Sequence, residues 1–266
     1  MSRVDVRKTH KLFIGGAFPR SESGRTYEVT DSKEQFLANM ALASRKDARD
    51  AVLAARSAVA KWSAATAYNR GQVLYRIAEV MEGRREQFIS EVSDSEGVSS
   101  RKAGAHVDAA IDRWVWYAGW ADKYTQVIGN TNPVAGPFFN FSVPEPTGVV
   151  AAVAPQDASV LGLVSVVAPI IVTGNAVIVM PSSSRPIPAI TLAECLATSD
   201  VPPGVVNILT GAPAEVMPWL AEHADVNALD LTGIVDEGVA ADLERSAAGT
   251  VKRVRGAAPH ADWHAT

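Results

Sequence analysis

The chain has 266 residues, 47% hydrophobic and 20% charged, the range of a globular protein long enough to bury a large core. Its formal net charge of -4 gives no bulk attraction to nucleic acid or to an anionic membrane surface, so neither is an expected partner. Cys195 is the one cysteine, which excludes an intramolecular disulfide and a cysteine-based zinc cluster and fits a reducing, cytoplasmic setting.

Arg3, Arg7, Lys8 and Lys11 are followed by no apolar run of signal-peptide type. Between Lys11 and Phe18 an apolar run meets a Gly15-Gly16 turn, then Ser23-Gly24, then Tyr27 and Val29 alternating with polar residues; the pattern predicts a short hairpin. Ser44 and Asp47 form a capping box that opens a helix whose buried face carries Ala48, Val52, Ala55, Val59 and Trp62. A second helix sets Val73, Ile77 and Val80 on one stripe, and a third does the same with Val107, Ile111, Trp114 and Ala118. Trp114, Trp116 and Trp120 are expected in the core. Around residues 127–146 the pattern changes to Gly, Asn and Pro turns about Phe138, Phe139, Phe141 and Val143, a short strand with exposed apolar residues.

After Gly148 strands and helices alternate. Strands are expected at 149–153, 176–179, 205–209 and 228–231, and helices at 160–172, 188–197, 214–222 and 237–248. The segment 160–172 is too short to span a bilayer and is broken by Gly162, Ser165 and Pro169, so it reads as a buried helix. Short apolar strands joined by helices imply an α/β fold with a Rossmann-like parallel sheet, and ligands belong at the carboxyl ends of its strands. The loops of interest start at Ala154, Met180, Thr210 and Thr232. The expected organisation is a helical region with hairpin and β arm over 1–147, the arm at about 127–146, the α/β core at 148–256 and a tail at 257–266.

Lys11–Gly16 (Lys-Leu-Phe-Ile-Gly-Gly), Ala51–Arg56, Tyr117–Trp120, Glu145–Val150, Pro202–Asn207 (Pro-Pro-Gly-Val-Val-Asn) and Leu231–Gly233 follow one another in an order that resembles the aldehyde dehydrogenase family. The resemblance runs to about Val254 and implies the cofactor-binding half of that fold. The family's reaction uses a cysteine nucleophile, a glutamate base and an asparagine oxyanion donor. The nucleophile belongs to a following domain, and Cys195 falls on a sheet-covering helix, where a lone cysteine reads as a small buried hydrophobe. The asparagine position in the loop Pro155-Gln-Asp-Ala-Ser159 holds Asp157, which as a carboxylate accepts hydrogen bonds and repels an oxyanion. Loss of such a donor costs about 3 to 4 kcal/mol of transition-state stabilisation. Ungapped counting places Ala257 where the glutamate would stand.

The resemblance also implies weakened contacts to NAD(P). Where the family holds the adenosine ribose, this chain has Met180-Pro181-Ser182-Ser183. Where it holds the pyrophosphate at a helix N-terminus, this chain keeps Gly233 and Gly238 but has Ile234 in place of a serine. Pro155, Met180, Pro181, Ser183, Gly233, Ile234 and Gly238 are thus a remnant cofactor set, with no cofactor expected to be firmly held. Asp236 and Glu237 read as helix-capping acids, Gly211–Pro213 as a strand-to-helix turn, and Ser182, Ser183 and Ser184 as helix entry before Pro186. His260 and His264, four apart around Asp262, would make a metal pair on a helix, but the alanine-rich segment with Pro259 reads as a tail, and no metal site is expected.

These readings imply a non-catalytic relative, a structural or regulatory subunit that associates with a full-length aldehyde dehydrogenase or with itself. The strand bearing Phe138, Phe139, Phe141 and Val143 resembles the family's oligomerisation arm, and an uncovered strand of this kind invites pairing. The alternative is an NAD(P)-binding component whose catalytic cysteine comes from a partner chain.

Overall fold

A computed structural model describes residues 7–258 and 262–264. In chain order the first elements are strands β1 (Thr9–His10), β2 (Thr26–Thr30) and β3 (Phe36–Ala41) and helices α1 (Arg45–Ala64), α2 (Ala67–Gly83), α3 (Arg85–Glu96), α4 (Ser100–Trp120) and α5 (Tyr124–Ile128). Two short strands follow, β4 (Asn130–Thr131) and β5 (Phe141–Ser142). The alternating part comprises β6 (Val149–Val153), α6 (Leu161–Val172), β7 (Ala176–Met180), α7 (Ile187–Ala197), β8 (Val206–Ile208), α8 (Pro213–Glu222), β9 (Ala228–Asp230), α9 (Glu237–Ala248) and β10 (Arg253–Arg255).

The main sheet is parallel throughout, in the order β10-β9-β6-β7-β8. The chain runs from β6 to β7 to β8 in one direction and then crosses to β9 and β10 on the other side of β6. The switch point of this doubly wound sheet therefore lies between β6 and β9. Side chains alternate between its faces. Val149, Ala151, Val153, Ala176, Ile178 and Met180 share one apolar cluster with α1, α8 and α9 residues, including Val52, Leu220 and Leu243. Ala152, Val177 and Val179 share the other cluster with α2, α3, α4, α6 and α7. Helix α6 lies against this second face with Leu161 to Ala168 buried throughout, which explains a helix without a polar stripe.

The capping box is present as expected: the Ser44 hydroxyl accepts from the amides of Lys46 and Asp47, and Asp47 accepts from the amide of Ser44 at 2.8 Å. Other expectations need correction. The Gly15-Gly16 turn forms, with paired backbone bonds between Ile14 and Ala17, but β2 pairs with β3 and not with the segment before it. Residues 11–18 instead reach across the molecule, where Phe13 pairs with Ile208. Helix α3, β3 and β10 carry no strong pattern in the sequence and were not expected. Trp114 is fully buried, but Trp116 is 44% exposed and stacks on Tyr117 and Trp120 at the surface, because it lies about 200° round α4 from Trp114.

Candidate functional site

The loops after β6, β7, β9 and β10 line one edge of the main sheet, so the fold brings most of the sequence-predicted residues to one neighbourhood. Gln156 joins two of these loops: its Nε2 donates to the Ala154 carbonyl at 2.8 Å, while its Oε1 accepts from the Ser183 amide at 3.0 Å and hydroxyl at 3.2 Å. Ser182 donates to the Gln156 carbonyl at 2.8 Å. Arg185 donates to the backbone carbonyl of Asp157, whose own carboxylate has no hydrogen bond or ion pair among the described residues.

At the switch point the loops after β6 and β9 touch backbone to backbone. The Gly233 amide donates to the Val153 carbonyl at 2.9 Å, and a methyl group built on Gly233 would lie 1.9 Å from the Ala154 oxygen. Gly233 is therefore required for close packing, independently of any ligand. Met180 is fully buried on the α1 face of the sheet, and Ile234 is 6% exposed in the same cluster, so both side chains pack into the core. Pro155 and Pro181 are buried, whereas Gly238 and Ala257 are exposed.

The N-terminus of α9 is occupied by its own acid. Asp236 is the N-cap, and its Oδ1 accepts from the Val239 amide at 3.0 Å; Glu237 follows in the first turn. The capping reading is thus the observed geometry. Gly211–Pro213 leads directly into α8, where Pro213 is the first helical residue. Cys195 is buried within α7, and burial pushes its thiol up from 9 to about 11, away from a nucleophile's range. Among the described residues no group of three or more His, Cys, Asp or Glu could hold a metal ion; His260 lies outside them.

A second cluster at the same edge carries no sequence motif. Glu96 ends α3, a position where a carboxylate opposes the helix dipole, yet its side chain is only 4% exposed. It is held by three donors: the Ser159 amide at 2.8 Å, the Ser159 hydroxyl at 2.6 Å and His106 Nδ1 at 2.9 Å. Against a carboxylate Nδ1 carries a proton and donates it. Only the packing of α3 and α4 against the loop after β6 unites these residues, so their spacing in the chain gives no signal.

The doubly wound sheet and the edge loops define an α/β protein of dinucleotide-binding type. An aldehyde dehydrogenase family model matches residues 18–256, and the chain belongs to that family. It is 32% identical over 246 residues to cytosolic 10-formyltetrahydrofolate dehydrogenase of Pongo abelii, covering 90% of this chain and 27% of that protein. It is 31% identical over 261 residues to cytosolic aldehyde dehydrogenase 1 of Elephantulus edwardii, covering 96% of this chain and 51% of that protein. Among solved structures, an aldehyde dehydrogenase from Bacillus cereus in complex with NAD+ superposes with a TM-score of 0.87 at 27% identity, over 93% of this chain and 50% of that one. Betaine aldehyde dehydrogenase from Staphylococcus aureus with NAD+ gives 0.85 at 26%, over 92% and 48%. The chain thus spans at most about half the length of these relatives. No helix among the described residues is long and apolar enough to cross a membrane.

Proposed function

We propose that this chain acts as a non-catalytic member of the aldehyde dehydrogenase family, a structural or regulatory subunit that pairs with a full-length aldehyde dehydrogenase or with itself. The observation that carries this reading is the arm formed by β4 and β5. Phe138, Phe139, Phe141 and Val143 are 75%, 82%, 56% and 57% exposed, and Phe139 and Phe141 stack on each other at 5.2 Å. Only Phe141 lies on a strand, with Phe138 and Phe139 in the loop before it, and since fully burying a phenylalanine is worth roughly 1.5 to 3 kcal/mol, three such exposed rings favour association strongly. A two-stranded ribbon is also marginal alone. Its antiparallel pairing leaves outer backbone groups free to extend onto a partner strand.

The chemistry at the sheet edge supports the same reading. By the sequence resemblance Asp157 stands where the family has its oxyanion donor, Cys195 is buried, and Met180 and Ile234 are packed inward. A dinucleotide pyrophosphate fits poorly at the N-terminus of α9, where Asp236 already takes an amide and Glu237 adds negative charge. A cytoplasmic location belongs to this reading and accords with the cytosolic relatives named above.

The test is native mass measurement of the full chain, alone and with a full-length aldehyde dehydrogenase, together with calorimetric titration of NAD into the chain. An oligomer that Phe139→Asp with Phe141→Asp reduces to a monomer, with no micromolar NAD binding, is the expected result. A chain that stays monomeric alone and with the enzyme, or that binds NAD at micromolar concentration, would overturn the proposal in favour of a cofactor-binding component.

A further inference from the structure

Beside the Glu96–His106 pair lies a hollow of about 350 Å³, lined by Lys102, His106, Asp157, Arg185, Asp262 and Trp263 among others. Its volume falls at the small end of ligand-binding cavities. One wall is the segment 262–264, outside the span of the family match. The carbonyl of Trp263 accepts from Arg113 at 2.9 Å, its ring packs against the main core, and the His264 ring lies 5.2 Å from that of His106.

The charges around this hollow are unusual for the molecule. Most of its arginines near a carboxylate are ion-paired, as Arg84 is with Glu194 and Arg85 with Asp108. Here, apart from Glu96 and His106, opposite charges share a hollow without pairing. Lys102 makes no side-chain hydrogen bond or ion pair among the described residues, and Arg185 donates only to a backbone carbonyl. Asp157 has no side-chain partner, and Asp262 accepts only from the amide of His264 at 3.0 Å. Besides Glu96, which pairs with His106, two cations and two carboxylates line this space, each more than 4 Å from any partner of opposite sign among the described residues.

We propose that this hollow binds a small zwitterion of the α-amino-acid type, its carboxylate held by Lys102 and Arg185 and its ammonium by Asp157 and Asp262. A simple anion would satisfy the cations but face two carboxylates, and a simple cation would meet the reverse penalty; a ligand carrying both charges satisfies all four groups. Trp263, Leu161 and Val98 supply apolar wall for a short side chain.

Calorimetric titration of the full chain with glycine, L-alanine and L-glutamine, against sodium acetate and methylammonium chloride at matched ionic strength, tests the proposal. At least one amino acid should bind saturably and at least tenfold more tightly than acetate or methylammonium. Lys102→Met and Asp157→Asn should each weaken that binding tenfold or more, with far-UV circular dichroism unchanged because both side chains are exposed. Lys102→Gln and Asp157→Ser remove the same charges should either first variant lose its fold. Absence of saturable binding by all three amino acids, equal binding of acetate or methylammonium, or binding indifferent to both charge removals would overturn it.

Discussion

Gly233→Ala would place a methyl group 1.9 Å from the Ala154 oxygen and 2.4 Å from its carbonyl carbon. Ordinary contact begins near 3.4 Å, so the loops after β6 and β9 must separate by about 1.5 Å, the difference between those two distances. The obstacle is backbone on both sides, and no side chain can rotate away. Overpacking of this kind costs roughly 1 to 3 kcal/mol. Separation also breaks the 2.9 Å bond from the Gly233 amide to Val153, worth about 1 kcal/mol, giving a loss of roughly 2 to 4 kcal/mol in all. Gly238, four residues beyond Ile234, is the matched control. A methyl group there meets only the Asp236 side-chain oxygen at 3.1 Å, and Gly238 is exposed in the first turn of α9, where alanine gains up to about 1 kcal/mol over glycine. Urea unfolding of both variants without any cofactor should therefore move in opposite directions. A Gly233→Ala protein within 0.5 kcal/mol of the parent would refute the packing account and return this glycine to a role in ligand contact.

Asp47→Ala should cost about 2 to 3 kcal/mol in urea unfolding, since its 4% exposed carboxylate accepts from Ser44, from the Ser21 hydroxyl at 2.7 Å and from the Glu22 amide at 3.1 Å. A loss below 0.5 kcal/mol would show that α1 does not depend on this cap. Burial, with Lys8 nearby, pushes His10 down to about 4. The unfolded chain takes up that proton near 6.5 and the folded chain only near 4, so the stability carried by neutral His10 is lost as pH falls from 6.5 towards 4. His10→Gln should flatten this limb in a series of urea melts. Cys195 works at the other end: the unfolded thiol ionises near 9 and the folded one near 11, so stability falls as pH rises between those values. Cys195→Ala should remove that decline, and in the parent a thiol reagent at pH 8 should react only after denaturant is added.

The fold was legible where periodicity and burial agree. The segment 149–153 is an apolar run because both of its faces are covered, and the stripe from Ala48 to Trp62 is helical because one side of α1 packs on the sheet. Helix α3 escaped because its sequence carries charges through most turns and buries only Phe88, Ile89, Val92 and Ser95. β10 escaped because it is an edge strand with Arg253 and Arg255 exposed, a pattern indistinguishable from a loop. At the site, the substitutions at Asp157, Met180 and Ile234 were visible as departures from a motif. The Glu96–His106–Ser159 cluster was not, since residues 63 positions apart meet only through the tertiary fold.

The residues that carry the family resemblance are largely those that hold backbone against backbone. Asn207, at the end of the Pro-Pro-Gly-Val-Val-Asn run, accepts from the Gly15 amide at 2.9 Å and donates to the carbonyls of Val177 and Gly204, so two separated signatures are one contact. Gly204 has φ near 89° and passes so close to α1 that a methyl group would lie 2.4 Å from the Ala54 oxygen. Gly148, with φ near 124°, is pressed against Asn227, whose Oδ1 accepts from Val149 and Arg56 and fixes the start of β6. Substitution at these positions breaks the fold whatever the protein does, whereas Asp157 and Glu237 are exposed and Met180 is interchangeable with other long apolar residues in its pocket. A sequence constrained by packing alone can therefore keep every signature of the fold while exposed positions such as Asp157 and Glu237 change. Here the motif match bears on architecture, and the question of chemistry belongs to the exposed arm and the charged hollow beside α4.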